Sequence, residues 1–296
     1  MPYCPAALQY LLPIRSANLH IMISAAHISE QVQRALAEDI GEGDITAALI
    51  STETQGTATI ITRENGVLCG SDFATQAFQQ LNNDCEVTWF ADDGDWIKSQ
   101  AVLAKISGPA RTLLTAERTA LNFLQLLSGT ATLAKQYAQR VAHTKVRLLD
   151  TRKTVPGLRL AQKYAVRCGG CHNHRIGLYD AFLIKENHIL AAGGISEAVT
   201  AARHLFPDKP IEVEVETSDE LDHALAAGAD RIMLDNFSLK ALREAVTHAA
   251  GQAELEASGN VTEATLVDIA ETGVDIISIG ALTKHIRALD LSMRMA

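Results

Sequence analysis

The sequence predicts an α/β protein in which parallel strands close into a barrel, or an open approximation to one, beside a smaller α+β layer. Three observations predict it. Between Asp150 and Gly280 one unit recurs: a short β-branched apolar run, a polar or glycine residue at its end, then an amphipathic stretch. Strand then helix, repeated, means parallel strands joined by right-handed crossovers. Residues 56–110 instead read as short alternating runs outside that repeat. The chain of 296 residues, 47% hydrophobic and 21% charged, has room for one large domain and a smaller one.

In chain order, residues 1–28 form an N-terminal segment, expected to be poorly ordered or locally docked. Ser29 opens a helical pattern through Val32, Ala35 and Leu36, closed by the turn Gly41-Glu42-Gly43-Asp44. The small domain, 29–130, carries strands at 57–62, 67–69, 87–90 and 102–106 and a helical patch at 73–81. A helix then starts at Thr115 and runs to a break at Ser128-Gly129. It is apolar nearly all round, so it needs cover on several sides, and Arg118 within it needs an anionic partner.

The larger domain, 131–282, has strands at 146–149, 181–184, 211–215, 232–234, 253–257 and 276–279, with an extra short one near 176–178. Ser218, Ser238 and Thr262 read as N-caps, Gly228 and Gly273 as helix stops. The tail, 283–296, reads as a C-terminal helix packing back on the small domain.

Composition narrows the function. A net charge of −9 argues against nucleic-acid or anionic-membrane partners, so any anion site must be local. Five cysteines, at 4, 69, 85, 168 and 171, are odd in number and too few to staple the chain, as expected of a reducing cytoplasm. No apolar run reaches the length of a membrane span, and Pro13 and Arg15 interrupt the apolar start, against a signal peptide.

In a barrel of parallel strands, the strand ends converge at one mouth. Here those ends carry Thr151-Arg152-Lys153, Lys185, Glu214, Asp235, Ser258-Gly259-Asn260 and Gly280-Ala281. Arg offers a planar fork for carboxylates and Lys a point charge for phosphate, so both in one cleft imply a ligand with both anions. His174-Arg175, behind the pair Gly169-Gly170, feeds the same mouth; His188, just past Lys185, is open between a ligand and a structural role. Arg159, Lys163 and Arg167 share a helix face, where a solvated stripe is at least as natural as an anion site. Glu214 and Asp235 could bind sugar hydroxyls and a magnesium ion that keeps its water. Glu212 and Glu216 alternate with Glu214, so pattern alone does not say which acid leads. The last two strands end in small residues that enter helices, an arrangement that often holds phosphate.

The runs Leu149-Asp150-Thr151-Arg152-Lys153-Thr154-Val155-Pro156-Gly157, Asn173-His174-Arg175, Leu183-Ile184-Lys185-Glu186-Asn187-His188, Met233-Leu234-Asp235-Asn236 and Glu256-Ala257-Ser258-Gly259-Asn260 together resemble the quinolinate phosphoribosyltransferase family. The similarity runs from about Ala35 to the C-terminus. It implies an α/β sandwich domain, an incomplete α/β barrel and a homodimer whose active sites are completed by the partner subunit. It also implies the reaction: quinolinate and 5-phosphoribosyl 1-pyrophosphate give nicotinate mononucleotide, pyrophosphate and carbon dioxide, with magnesium as cofactor. By that resemblance Arg118 reaches across the interface to join Arg152, His174 and Arg175 on the quinolinate carboxylates. Lys153 and Lys185 contact substrate anions, and Glu214 and Asp235 hold ribose hydroxyls and magnesium. Thr151 and Ile279 join the binding set, while Ser258, Gly259, Asn260, Gly280 and Ala281 take the 5-phosphate. Lys153, Lys185, Glu214 and Asp235 are the candidate catalytic residues.

Cys171-His172 departs from the small residues usual in the family and raises the question of a redox-sensitive loop. Three rivals stand beside this reading. One is a Schiff-base aldolase using Lys185, disfavoured by the surrounding arginines. Another is a metal or redox module on Cys168 and Cys171. The last is a molybdenum-associated protein of the same fold, disfavoured by the nearly complete carboxylate-binding set.

Overall fold

A computed structural model describes residues 23–295 and divides them into two compact units, 23–125 with 290–295, and 126–289. In the first unit, helix α1 (Ala25–Ile40) is capped by Ser24, whose side chain accepts from the His27 N–H, and buries Ile28, Val32 and Leu36. Strands β1 (Gln55–Thr62), β3 (Glu86–Trp89) and β5 (Val102–Pro109) pair antiparallel, with a two-residue ribbon of β2 (Gly66–Val67) and β4 (Trp96–Ile97) alongside. Helix α2 (Ser71–Gln79) buries Phe73 and Phe78, and Phe73 stacks on Phe123 with ring centroids 4.9 Å apart. Burying aromatic and branched side chains such as Phe78, Ile60 and Ile106 gives this small unit its core.

Helix α3 (Ala110–Arg140) starts earlier than the sequence suggests and does not break at Ser128-Gly129. Gly129 sits inside it because the Arg287 carbonyl oxygen would lie 2.2 Å from any added Cβ. The glycine is there for close approach, not to stop the helix. Arg118 is exposed on α3.

In the second unit six parallel strands lie in the order β6 (Arg147–Leu149), β11 (Ile276–Ser278), β10 (Glu254–Ser258), β9 (Arg231–Asp235), β8 (Ile211–Val215), β7 (Phe182–Ile184). No pairing joins β7 to β6 among the described residues, so the barrel is incomplete. The crossover helices are α4 (Arg159–Cys168), α5 (Glu186–Ala192), α6 (Ile195–Leu205), α7 (Ser218–Ala226), α8 (Leu239–Ala249) and α9 (Leu266–Ala270), followed by the single turn α10 (Ala281–Lys284).

Alternation along the strands builds two different faces. Ile211, Val213 and Val215, Ile232 and Leu234, and Leu255 and Ala257 join one apolar core with Leu221 and Leu242 of the helices. The residues of opposite side-chain parity, Glu212 and Glu214, Arg231, Met233 and Asp235, and Glu254 and Glu256, face the barrel interior, which along these strands is polar but for Met233. A polar interior is the physical precondition for a charged site.

Several local expectations are corrected. The tail is not a helix: residues 291–295 form β12 (Leu291–Met295), antiparallel to β1 in the first unit. Its alternation of buried Leu291 and Met293 with less buried Ser292 and Arg294 is a period of two. Residues 176–178 are not a strand, because the Asp180 carboxylate takes the Ile176 and Gly177 N–H groups at 2.6 and 3.3 Å and bends the chain. Thr217, not Ser218, caps α7 in a reciprocal pair with Glu220. Thr262 opens a turn rather than a helix, its hydroxyl accepting from the Thr265 N–H. Ser238 caps α8 as expected, and Gly228 and Gly273 take φ of 76° and 94°. Of the segment 1–28, residues 1–22 lie outside the described residues, and α1 begins within the rest.

Candidate active site

A cleft of about 580 Å³ opens at the strand ends of the second unit. Thr151, Arg152, Lys153, His174, Arg175, Lys185, Glu214, Asp235, Ser258, Gly259, Asn260, Gly280 and Ala281 all line it. Residues spread over more than a hundred positions thus meet in one hollow. Ile279 does not: it is 1% exposed, and its N–H donates to the Leu149 carbonyl, which ties the chain after β11 to β6. Arg118 belongs to the first unit and is not in the lining.

The position of the His174-Arg175 loop traces to a buried pair. Lys163, read as part of a solvated stripe or an anion site, is wholly buried and donates to Asp150, also wholly buried. Asp150 further accepts from Asn173 Nδ2 at 2.6 Å and from the His174 N–H at 2.9 Å, while Lys163 Nζ donates to the His174 carbonyl at 2.9 Å. Burial pushes the Asp150 carboxyl up and the Lys163 amine down, against their mutual attraction. Only these several hydrogen bonds make burying two such groups tolerable.

His174 is 8% exposed. Its Nδ1 accepts from the Arg175 N–H at 2.8 Å, and its Nε2 lies 3.0 Å from Glu212 and 3.5 Å from Glu256. Burial alone would lower its pKa, but the nearby carboxylates of Glu212 and Glu256 outweigh burial and push it up to about 9. The Arg175 N–H, donated to Nδ1, opposes that rise by disfavouring a second ring proton. Arg175 Nη1 donates to the Ala181 carbonyl at 3.2 Å. Burial and the neighbouring Arg152 hold its guanidinium below the usual range, and a bound anion would offset both effects.

The acids divide by depth. Glu212, on the inner face, is 4% exposed and raised by burial and by Glu256, so it serves the floor. Glu214, nearer the mouth, ion-pairs with Lys185. Glu216 is exposed beyond the strand, its N–H donating to Glu220. Asp235 accepts from Asn236 Nδ2 at 2.7 Å. Two hard oxygen donors at the mouth suit a hydrated magnesium ion.

Close approach of neighbouring groups shapes the end of the cleft at β10 and β11. A Cβ at Gly259 would fall 2.2 Å from Asn236 Oδ1, and Gly259 takes φ of 95°. At Gly280 the added atom would lie 3.1 Å from Lys153 Cδ, so this glycine makes room for the lysine. The Lys153 carbonyl accepts from the Thr283 hydroxyl at 2.8 Å, tying the first strand end to the last.

Pattern reading missed Leu183, Met233, Val261, Thr262, Ser278, Lys284 and His285 in the lining. Lys284 and His285 follow the last strand in a tail read as one long helix, and their basic chemistry was the signal available. His188 is structural: its Nδ1 accepts from the Lys185 N–H at 3.0 Å, and it does not line the cleft. Cys171 is 1% exposed and burial pushes its thiol up to about 12, which argues against a redox trigger there. His172 is lowered to about 4 by burial and by Arg167 and Arg147, and its Nδ1 faces Arg167 at 3.3 Å.

The model of the quinolinate phosphoribosyl transferase N-terminal domain matches residues 44–128, and that of the C-terminal domain matches residues 130–294. The chain belongs to the quinolinate phosphoribosyltransferase family. A nicotinate-nucleotide pyrophosphorylase structure from Francisella tularensis superposes with a TM-score of 0.91 at 51% identity, covering 93% of this chain and 98% of that one. A probable carboxylating nicotinate-nucleotide pyrophosphorylase of Synechocystis is 44% identical, covering 90% of this chain and 92% of its own length. One from Bacillus subtilis is 41% identical over 86% and 89%. For a member of this family, the mixture of forks, point charges and acids in one cleft has a ready chemical meaning.

Two outcomes are expected. Lys163→Met strands the Asp150 carboxylate and should cost about 3–5 kcal/mol in urea unfolding, with Asp150→Asn added to it restoring part of the loss; a single variant as stable as wild type would refute the buried pair. Raised above its unfolded value near 6.5, the His174 pKa makes the ring's charge stabilising below that pH and progressively less so up to about 9. The melting-temperature advantage of wild type over His174→Gln should therefore shrink between those limits, and an advantage that grew with pH would reverse the assignment.

Proposed function

We propose that this cleft joins the nitrogen of quinolinate to the ribose of 5-phosphoribosyl 1-pyrophosphate, yielding nicotinate mononucleotide, pyrophosphate and carbon dioxide for de novo NAD synthesis. The observation that carries the reading is the gathering of Arg152, Lys153, Arg175 and Lys185 around one hollow in a chain of net charge −9. Two acidic groups on a ring and phosphates at both ends of a sugar call for this mixture.

Arg152 and Arg175 are the forks for the ring carboxylates, with His174 beneath them. Lys153 and Lys185 face the phosphate charges, and Ser258, Gly259, Asn260, Gly280 and Ala281 offer small side chains and backbone N–H groups to the 5-phosphate. As the bond from C1 of the sugar to pyrophosphate breaks, positive charge grows on the ring and negative charge on the leaving group. Glu214 and Asp235 stabilise the first, and the lysines stabilise the second. Magnesium, when bound, supplies further neutralisation of the pyrophosphate, and Glu214 and Asp235 would hold it through substrate and water. Once the pyridine nitrogen is quaternary, its positive charge stabilises the electron pair left on the adjacent ring carbon as carbon dioxide departs, and that carbon then takes a proton from water.

The Lys185–Glu214 ion pair suits an ammonium rather than the free amine an aldolase needs. Arg118, exposed on α3, is available to a neighbouring protomer, and we read the enzyme as a homodimer in which each site takes Arg118 from the partner subunit. A cytoplasmic setting agrees with the buried Cys85, Cys168 and Cys171 thiols; no described helix is long and apolar enough to cross a membrane.

Absorbance-monitored formation of nicotinate mononucleotide should occur with quinolinate and not with nicotinate. Arg152→Ala should lower kcat/KM for quinolinate by about 100-fold or more, and unchanged turnover would rule out the carboxylate clamp. Mixed and reassembled Arg118→Ala and Arg175→Ala proteins, each inactive, should regain up to about a quarter of wild-type activity, because half the dimers then carry one intact site. No recovery would place Arg118 in its own subunit's chemistry or in none.

A further inference from the structure

Beneath the cleft, three neighbouring strands point charged groups into the barrel. Glu212 on β8, Arg231 on β9 and Glu256 on β10 meet there, and His174 closes the group from the loop above. Arg231 Nη1 lies 3.9 Å from Glu212 and 3.5 Å from Glu256, while its Nη2 reaches Glu254 at 3.0 Å. Glu254 also pairs with Arg147. The side chains of Glu256, Glu212 and His174 are 0%, 5% and 7% exposed.

Such a cluster is costly. Glu212 Oε1, both oxygens of Glu256 and His174 Nε2 make no hydrogen bond, so these carboxylates rest on the charge of Arg231 and on close contact with the His174 ring. An apolar rung of the barrel would be cheaper for folding alone. What the cluster accomplishes is orientation. His174 has its Nε2 held from below and its Nδ1 committed to the Arg175 N–H, so its ring is a strut between the buried carboxylates and the Arg175 backbone.

We propose that Glu212, Glu256 and Arg231 are positioning residues for the acidic ring substrate, acting through the His174 strut to set Arg175 in the cleft above it. The inference rests on the functional reading above and adds a layer of residues that do not themselves line the cleft. Fixing the fork in advance lowers the ordering cost of gripping a carboxylate. The sugar phosphate, held at and beyond the ends of β10 and β11 by groups with no described side-chain hydrogen bond or ion pair to the cluster, should not feel it.

The test is steady-state kinetics of Glu256→Gln, which keeps the side chain's size and removes its charge. KM for quinolinate should rise about tenfold or more, while kcat and KM for 5-phosphoribosyl 1-pyrophosphate stay within about threefold. Arg231→Met should behave likewise and Arg231→Lys should recover most of the loss. If Glu256→Gln fails to fold, Glu212→Gln is read the same way. An unchanged quinolinate KM in a folded variant would overturn the proposal, as would equal rises in both KM values, the mark of general loosening. About one divalent metal per chain in purified wild type, lost in Glu256→Gln, would also overturn it by making the cluster a metal site. Wild type without quinolinate turnover would defeat the functional reading itself, whereas active wild type beside an unaffected Glu256→Gln would defeat this inference alone.

Discussion

The site depends on one buried ion pair. Lys163 and Asp150 are both removed from water, and neither would be tolerable there alone. Together with Asn173 they hold the His174 backbone from both its N–H and its carbonyl side. That loop carries His174 and Arg175, two residues with no regular element to orient them. A loop gains the precision of a strand when its peptide groups are fixed to buried charges. Asp150 also closes β6, so the same carboxylate couples the first strand end to the loop that faces it.

Charge is arranged in layers through the barrel. At the bottom Arg147 and Arg231 meet Glu254; above them Arg231, Glu212, Glu256 and His174 share one cluster; at the mouth Lys185 meets Glu214. Each layer is nearly neutral until the rim, where Arg152, Arg175 and Lys153 have no carboxylate partner among the described ion pairs. The surplus of positive charge therefore sits at the opening, where an anionic ligand can use it. An acidic chain can present a cationic site because its acids are spent in the lower layers and on the outside.

Strand positions and the mouth residues were readable because both follow from periods. A polar residue closing a β-branched run is visible in one dimension, and parallel topology brings such ends together whatever the details. Lys163 was misleading for the opposite reason. Spacing of four placed it with Arg159 and Arg167, but spacing cannot report that an aspartate thirteen positions earlier waits beneath the helix. Gly129 misled likewise, since a glycine that admits the Arg287 carbonyl looks the same as one that ends a helix. The tail misled because its alternating positions are few, and a strand so short is specified by the partner β1 that accepts it.

By itself the sequence determined the class of fold, the two-part organisation, the family and the mouth residues, because these are carried by local periodicity and by runs of consecutive residues. Tertiary structure alone decided which acids serve the floor and which the mouth. Glu212, Glu214 and Glu216 differ by nothing in the pattern, and depth separates them into a buried partner of His174, an ion pair with Lys185 and an exposed end. Depth is a property of where neighbouring strands place their own charges. No stretch of chain contains that information until the strands lie side by side.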